Sequence, residues 1–291
     1  MTRRTGLTTV GTVVLVVGIL VGLVVLVALL VAILMPGLGR ARELARRASC
    51  KSNLSNIGKG MAMYTASNGN EWPWLKSDNR WDAPTGAGRY MGPSPQTTYN
   101  VSALLFMLVR DGQSSGIFRC ASDTGAKADP NTMDMAGGTA YNWDFSPYRM
   151  DSFEHVSYSY QAPVLDSDNV WGSGVPTSPD PNLAIVADKT PTYAGKAATF
   201  NWATPGKDDP QTGMSQNHSG GEVINVLYAD IHVAEAPRAD VGVGGDNIYS
   251  CADSKGKPPM PETNPGAGTL NISNHRSTKD SFLLGPTKME K

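Results

Sequence analysis

Residues 5–39 read TGLTTVGTVVLVVGILVGLVVLVALLVAILMPGLG and contain no charged residue. The stretch 10–34 within them is almost wholly Val, Leu, Ile, Gly and Ala. As a helix, its 25 residues would extend roughly 37 Å, more than the ~30 Å hydrocarbon layer of a bilayer. Core helices of water-soluble proteins rarely run this far without a polar face. A cleaved signal peptide, with Arg3-Arg4 as its basic end, would need an apolar run of only about 7–15 residues and small residues at the cut. Here the run ends in Met35-Pro36-Gly37. The reading is a transmembrane span over 10–35 after a short flank, 1–9.

Outward from the span the chain changes character. Residues 1–51 hold seven of the 25 Lys/Arg and one of the 26 Asp/Glu, so 52–291 carry 18 bases against 25 acids. An acidic bulk does not suit phosphate backbones, so no nucleic-acid partner is expected. The 31 Gly and 20 Pro among 291 residues are about one in six, against a usual one in eight, and point to turns and short strands. A helix is expected over 40–66, with Leu54, Ile57, Met61 and Tyr64 at helical spacing and Asn68-Gly69 as its stop. Pro36 should kink its junction with the span. A short helix is expected over 100–110, a strand over 117–120, and antiparallel strands over 156–161, 183–187 and 222–228. Residues 253–281 are polar and Pro/Gly-rich and read as a mobile tail. The fold class is therefore α+β: a long N-terminal transmembrane helix continuing into a stem helix (36–67), which packs on an antiparallel sheet domain with long loops (68–252), followed by a tail (253–291).

Five stretches in order, spread over 36–233, carry a resemblance. They are Pro36-Gly37-Leu38-Gly39-Arg40-Ala41-Arg42-Glu43; Cys50-Lys51-Ser52-Asn53-Leu54 with Ile57-Gly58; Phe118-Arg119-Cys120-Ala121-Ser122-Asp123; Asn217-His218-Ser219-Gly220-Gly221; and Asn225 through His232-Val233. Together they resemble the type IV pilin-like, or type II secretion pseudopilin-like, proteins abundant in planctomycetes and related bacteria. The family pattern is P-A-L-x-x-A-R-E, C-x-x-N-L-x-x-I-G, F-x-C-P-S-D, N-H-G-G and N-V-L-F-x-D-G-H-V. The resemblance implies a non-catalytic structural subunit of a secretion or pilus apparatus in the bacterial inner membrane. Its partners would be the lipid bilayer and other pilin-like subunits, in homo- or hetero-assembly. Its N-terminus would stay in the cytoplasm, and its C-terminal domain would be exported to the periplasm or cell surface. Bases near the span ends, two before and five after, count the other way. The resemblance and the Asn/Ser/Thr-rich bulk outweigh them.

This chain departs from the family at three places. Prepilins open G-F-T-L-I-E and are cut after the Gly; the nearest match here is Gly6-Leu7, and where the Glu belongs stands Gly11, or Ile19 when counted back from Pro36. Without that lipid-buried carboxylate, polymer assembly loses a specific attraction. Ala121 replaces the Pro of C-P-S-D. Ile231 replaces the Gly of D-G-H, which argues against a Gly-dependent tight turn at Asp230.

Asp188, His218, Asp230 and His232 have ligand character, and carboxylate with imidazole suits a divalent metal. Asp230 and His232, two apart on an expected strand, would share a face and point toward Asp188, while Leu227, Ala229 and Ile231 would meet the long helix. The plainer reading makes these four residues hydrogen-bonding pins of turns, with no cofactor bound. Calcium is the further alternative, since some pseudopilins use it to brace a loop. Trp72, Trp74 and Trp81 read as core before sugar-stacking platforms. No nucleophile elbow, phosphate loop or zincin motif appears, so no enzymatic activity is expected. Of three cysteine pairings, the resemblance favours Cys50–Cys120, whose positions recur in the family, over Cys120–Cys251. Two rival functions stay open: a non-polymerising, membrane-tethered binding protein on a pilin scaffold, and an exported metal-dependent hydrolase.

Overall fold

The computed structural model describes residues 9–74, 101–123, 145, 155–161, 164–165, 171–189, 214–215, 217–218, 221–245, 247–249 and 283–284. The chain divides into two compact units, Met1–Ala45 and Arg46–Lys291.

Helix α1 (Thr9–Ser67) contributes to both and runs through Pro36 without ending. In the first unit, Gly11–Ile33 is long and apolar enough to cross a membrane, and none of its most apolar window is buried against protein. Side chains such as Val14, Leu23 and Ile33 stand more than half exposed. Apolar surface on this scale needs a non-aqueous partner, which excludes the role of an ordinary core helix.

In the second unit α1 packs. Cys50, Leu54, Ile57 and Met61 are fully buried at steps of four, three and four, one helical stripe. The helix ends where Asn68 N–H reaches Tyr64 O at 2.9 Å and Asn70 N–H reaches Thr65 O at 2.8 Å, with Gly69 and Asn70 both at positive φ. Helix α2 (Val101–Arg110) supplies Leu104, Leu105, Phe106 and Leu108 to the same core. Residues 117–120, expected as a strand, instead enter a 3₁₀ turn over Ser115–Phe118, closed by Arg119 N–H on Gly116 O. Gly116 tolerates that tight backbone, and the turn drops Phe118 into the core beside Phe145, ring centroids 5.0 Å apart.

Seven strands are present among the described residues: β1 (Tyr158–Gln161), β2 (Val164–Leu165), β3 (Trp171–Gly172), β4 (Ala184–Asp188), β5 (Ile224–Tyr228), β6 (Val233–Ala236) and β7 (Leu283–Leu284). β2 and β3 pair by themselves; the others form one sheet in the order β6-β5-β4-β1-β7, with every pairing antiparallel. The architecture is α+β. One face of the sheet meets α1 and α2 through Ile185 and Leu227; the other meets a second core containing Ile224, Val226, Ile248 and Tyr249. With both faces covered, β4 and β5 are buried at every position rather than at alternate ones. Leu283–Leu284 lies in the stretch expected as tail, yet pairs with β1; residues 253–281 lie outside the described residues. Trp72 is buried in the core, Trp74 is half-buried, and Trp81 lies outside the described residues.

The β5–β6 hairpin corrects the expectation at Asp230. A tight turn does form there without glycine: Ile231 N–H bonds to Tyr228 O at 2.9 Å, and Tyr228 N–H bonds to His232 O at 3.0 Å. Ile231 itself takes the left-handed position at φ 71°. A β-branched residue there is strained by about 1–2 kcal/mol. Packing offsets the strain. The Ile231 side chain lies over Gly58 of α1, where an added Cβ would fall 2.8 Å from Ile231 Cγ2 and 2.9 Å from Leu227 Cδ1. Leu227 and Ile231 do meet the long helix, and Gly58 makes the room.

Candidate functional site

Cys50 of α1 and Cys120, just past the 3₁₀ turn, are joined by a disulfide, Cα–Cα 5.3 Å. Both are buried. The backbone around Cys50 is clamped by neighbours. Asn53 Nδ2 donates to Arg119 O at 2.9 Å, and the Tyr158 hydroxyl donates to Cys50 O at 3.4 Å. Burial first, then the negative charge of Asp188, push the Tyr158 phenol well up, so it stays a donor. Cys251 lies outside the described residues.

His218 sits 3.7 Å from the disulfide, measured from Nε2 to Cys120 Sγ. It occupies the turn before β5, closed by Gly221 N–H on His218 O, with Gly221 at φ 99°. On its other side lies Asp188, the last residue of β4, its Oδ2 3.4 Å from Nε2. Asn225 of β5 completes the group. Its backbone N–H donates to Asp188 Oδ2 at 2.7 Å; its Nδ2 donates to the same oxygen at 3.3 Å and contacts His218 Nε2 at 3.1 Å. Turned over, the amide would set its oxygen against the carboxylate, so its orientation is fixed. An amide nitrogen only donates, so in this orientation His218 Nε2 faces it as the acceptor. Asp188, His218 and Asn225 are all fully buried, and Asp188 Oδ1 and Asn225 Oδ1 have no hydrogen-bond partner among the described residues. The cluster is held from behind by Tyr249 OH donating to Asp188 O at 2.8 Å and Asn217 Nδ2 donating to Ser157 O at 2.8 Å.

The four residues with ligand character therefore divide into two pairs. Asp188 and His218 come together. Asp230 and His232 lie not on a strand but in the β5–β6 turn, beside Leu183 at the start of β4, whereas Asp188 ends that strand. The cause is the turn itself, which reverses the chain between Tyr228 and His232. Asp230 Oδ1 caps it, accepting from His232 N–H at 3.1 Å and pairing with His232 Nδ1. The His232 ring stacks on Tyr228, centroids 4.4 Å apart. Burial alone would raise the Asp230 carboxyl, but the His232 backbone N–H and imidazole outweigh it and hold the group below its usual range. This pair stands about half exposed and fits the turn-pinning role.

Sequence reading did not identify Asn225 as a site residue, nor the proximity of His218 to the cysteines. The signal for Asn225 was present: one amide inside Ile224-Asn225-Val226-Leu227-Tyr228, on the side of Leu227 that faces α1. Gly6 and Leu7, the implied cleavage position, lie outside the described residues. The chain matches no protein-family model, no curated protein and no solved structure.

Proposed function

We propose that this chain is a structural, membrane-anchored subunit of pilin-like type, belonging to a type II secretion or type IV pilus apparatus, with its N-terminus in the cytoplasm and its α+β domain exported. The observation that carries the reading is α1. One continuous helix has an apolar, unburied N-terminal stretch and a C-terminal stretch whose Cys50–Met61 stripe forms the core of a β-sheet domain. The ordered motifs from Pro36 to Val233 support the same reading. A buried disulfide fits an oxidising compartment outside the cytoplasm. A structural role fits a polar cluster buried within the fold, with Asp188, His218 and Asn225 all at 0% exposure.

One feature favours a non-polymerising tether on the same scaffold: Gly11 in place of the intramembrane Glu. The mature N-terminus, measured by mass spectrometry on the membrane fraction, separates the two. A chain beginning at Leu7, with or without N-methylation, supports pilin processing; an intact Met1 or Thr2 supports the simple anchor. Reporter fusions at Lys291 test topology. Activity of a cytoplasm-only reporter there would exclude the exported domain and both readings with it.

A further inference from the structure

We infer that the Cys50–Cys120 locus is a thiol-dependent metal site, in which the reduced thiolates, His218 and Asp188 hold one thiophilic divalent cation such as Zn²⁺. This goes beyond the subunit role and does not depend on it.

Three of the four donor atoms are already assembled. Cys50 Sγ, Cys120 Sγ and one ring nitrogen of His218 lie within 4.8 Å of one another, all buried. With Zn–S near 2.3 Å and Zn–N near 2.0–2.1 Å, tetrahedral geometry puts S···N at ~3.6 Å and N···O at ~3.4 Å. Cys120 Sγ to His218 Nε2 is 3.7 Å, and His218 Nε2 to Asp188 Oδ2 is 3.4 Å. In the orientation of the Asn225 amide, Nε2 is the acceptor, and its lone pair is the one a metal would take. Asp188 is a fully buried carboxyl group whose Oδ1 has no hydrogen-bond partner among the described residues. A buried oxygen left without a partner is costly, and a bound cation would supply one. Two adjustments remain: Asp188, outside the 4.8 Å group, must approach the sulfurs, and the bonded sulfur pair must separate to roughly 3.8 Å. Side-chain rotation provides the separation between two Cα atoms 5.3 Å apart. Two thiolates with imidazole select a thiophilic ion over calcium or magnesium.

The chemistry balances with a phosphine as reductant. Phosphorus attacks one sulfur and the S–S bond breaks; water hydrolyses the thiophosphonium, the phosphine leaves as its oxide, and each sulfur ends with one proton. Zn²⁺ binding then releases both thiol protons. The disulfide and the metal are thus alternative cross-links between α1 and the residue after the 3₁₀ turn, chosen by redox state.

The test uses the full chain in detergent micelles, with Cys251→Ser to remove the third thiol. After anaerobic phosphine reduction and desalting, Zn²⁺ or Co²⁺ is added and the metal retained is measured. The reduced chain is expected to keep one Zn²⁺, protect both cysteines from N-ethylmaleimide, and give the thiolate charge-transfer and tetrahedral d–d bands with Co²⁺. The oxidised chain should keep none. His218→Ala should weaken binding by at least 10–100-fold, and Asp188→Asn should also weaken it. If reduction loosens the fold, Zn²⁺ should restore the native tryptophan emission. Reduced protein that neither retains Zn²⁺ nor responds to it would overturn the inference. So would equal retention by a Cys50→Ser/Cys120→Ser variant.

Discussion

Gly58→Ala should destabilise the protein although it places a better helix former inside a helix. On propensity alone the change gains about 1 kcal/mol. Against this, the new methyl would lie 2.8 Å from Ile231 Cγ2, 2.9 Å from Leu227 Cδ1 and 3.4 Å from Leu227 Cδ2. Carbon atoms prefer separations of about 3.5–4.0 Å, so two contacts overlap by about 0.6–0.7 Å. Leu227 is fully buried and can shift only by displacing others. Ile231 Cγ2 is attached to the Cβ of a residue held at φ 71° by the hairpin, so it cannot swing away. Overpacking of this kind costs about 1–3 kcal/mol, leaving a net loss of about 1 kcal/mol. The sharper expectation is the coupling. In an Ile231→Gly background one of the two overlaps is gone, and Gly58→Ala should cost clearly less than in the parent chain. Urea unfolding of the full chain in micelles, followed by tryptophan emission, measures all four corners of the cycle. If Gly58→Ala raises the midpoint in the parent chain, or costs the same in both backgrounds, the account of Gly58 as space reserved for Ile231 is wrong.

Cys50→Ser opens a cross-link spanning 70 residues and should cost about 4 kcal/mol on the loop-entropy model, read as a lower urea midpoint under non-reducing conditions. Asp188→Ala strands the buried donors of Asn225, which bond to Oδ2 at 2.7 and 3.3 Å, and should cost about 2–3 kcal/mol; an unchanged midpoint would refute a stabilising role for these bonds. The lowered carboxyl of Asp230 stabilises the fold above its unfolded value, near pH 4, and that contribution is lost as pH falls through the folded value. Hence the melting-temperature gap between the parent chain and Asp230→Asn should be full near neutrality and close under acid; a gap independent of pH would contradict the pairing with His232.

The helices were largely legible. Leu54, Ile57 and Met61 sit at spacings only a helix turns into one face, and Asn68-Gly69 supplies the left-handed exit that ends it. Three of the longer strands were found because buried runs such as Ile185-Val186-Ala187 are rich in β-branched residues and bounded by turns. The 3₁₀ turn was missed because Ile117-Phe118 is apolar in either conformation. The β5–β6 turn was misjudged for a tertiary reason: the space over Gly58 lets Ile231 occupy a position that local sequence assigns to glycine. The site was legible by residue type and not by partnership. Asp188 and His218 stood out, but the neighbours that define their chemistry, Asn225 and the cysteines, arrive through β4–β5 pairing and the packing of α1, which no spacing encodes.

The covalent tie between Cys50 and Cys120 also has a mechanical meaning. Tension drawn along the chain between the α1 side and the segments after Cys120 enters at Cys50 and leaves at Cys120 through two sulfur atoms, bypassing every residue between them. The packed half of α1 and all of α2 lie inside that bypass. They carry no axial load while the bond is intact, and pulling cannot unravel them from the end that faces the apolar helix. Only segments outside the 50–120 loop, the sheet and the part of α1 before Cys50 among them, can yield and lengthen. Cutting the bond would move the first point of yielding into the helix and add the length of the released loop to the extension.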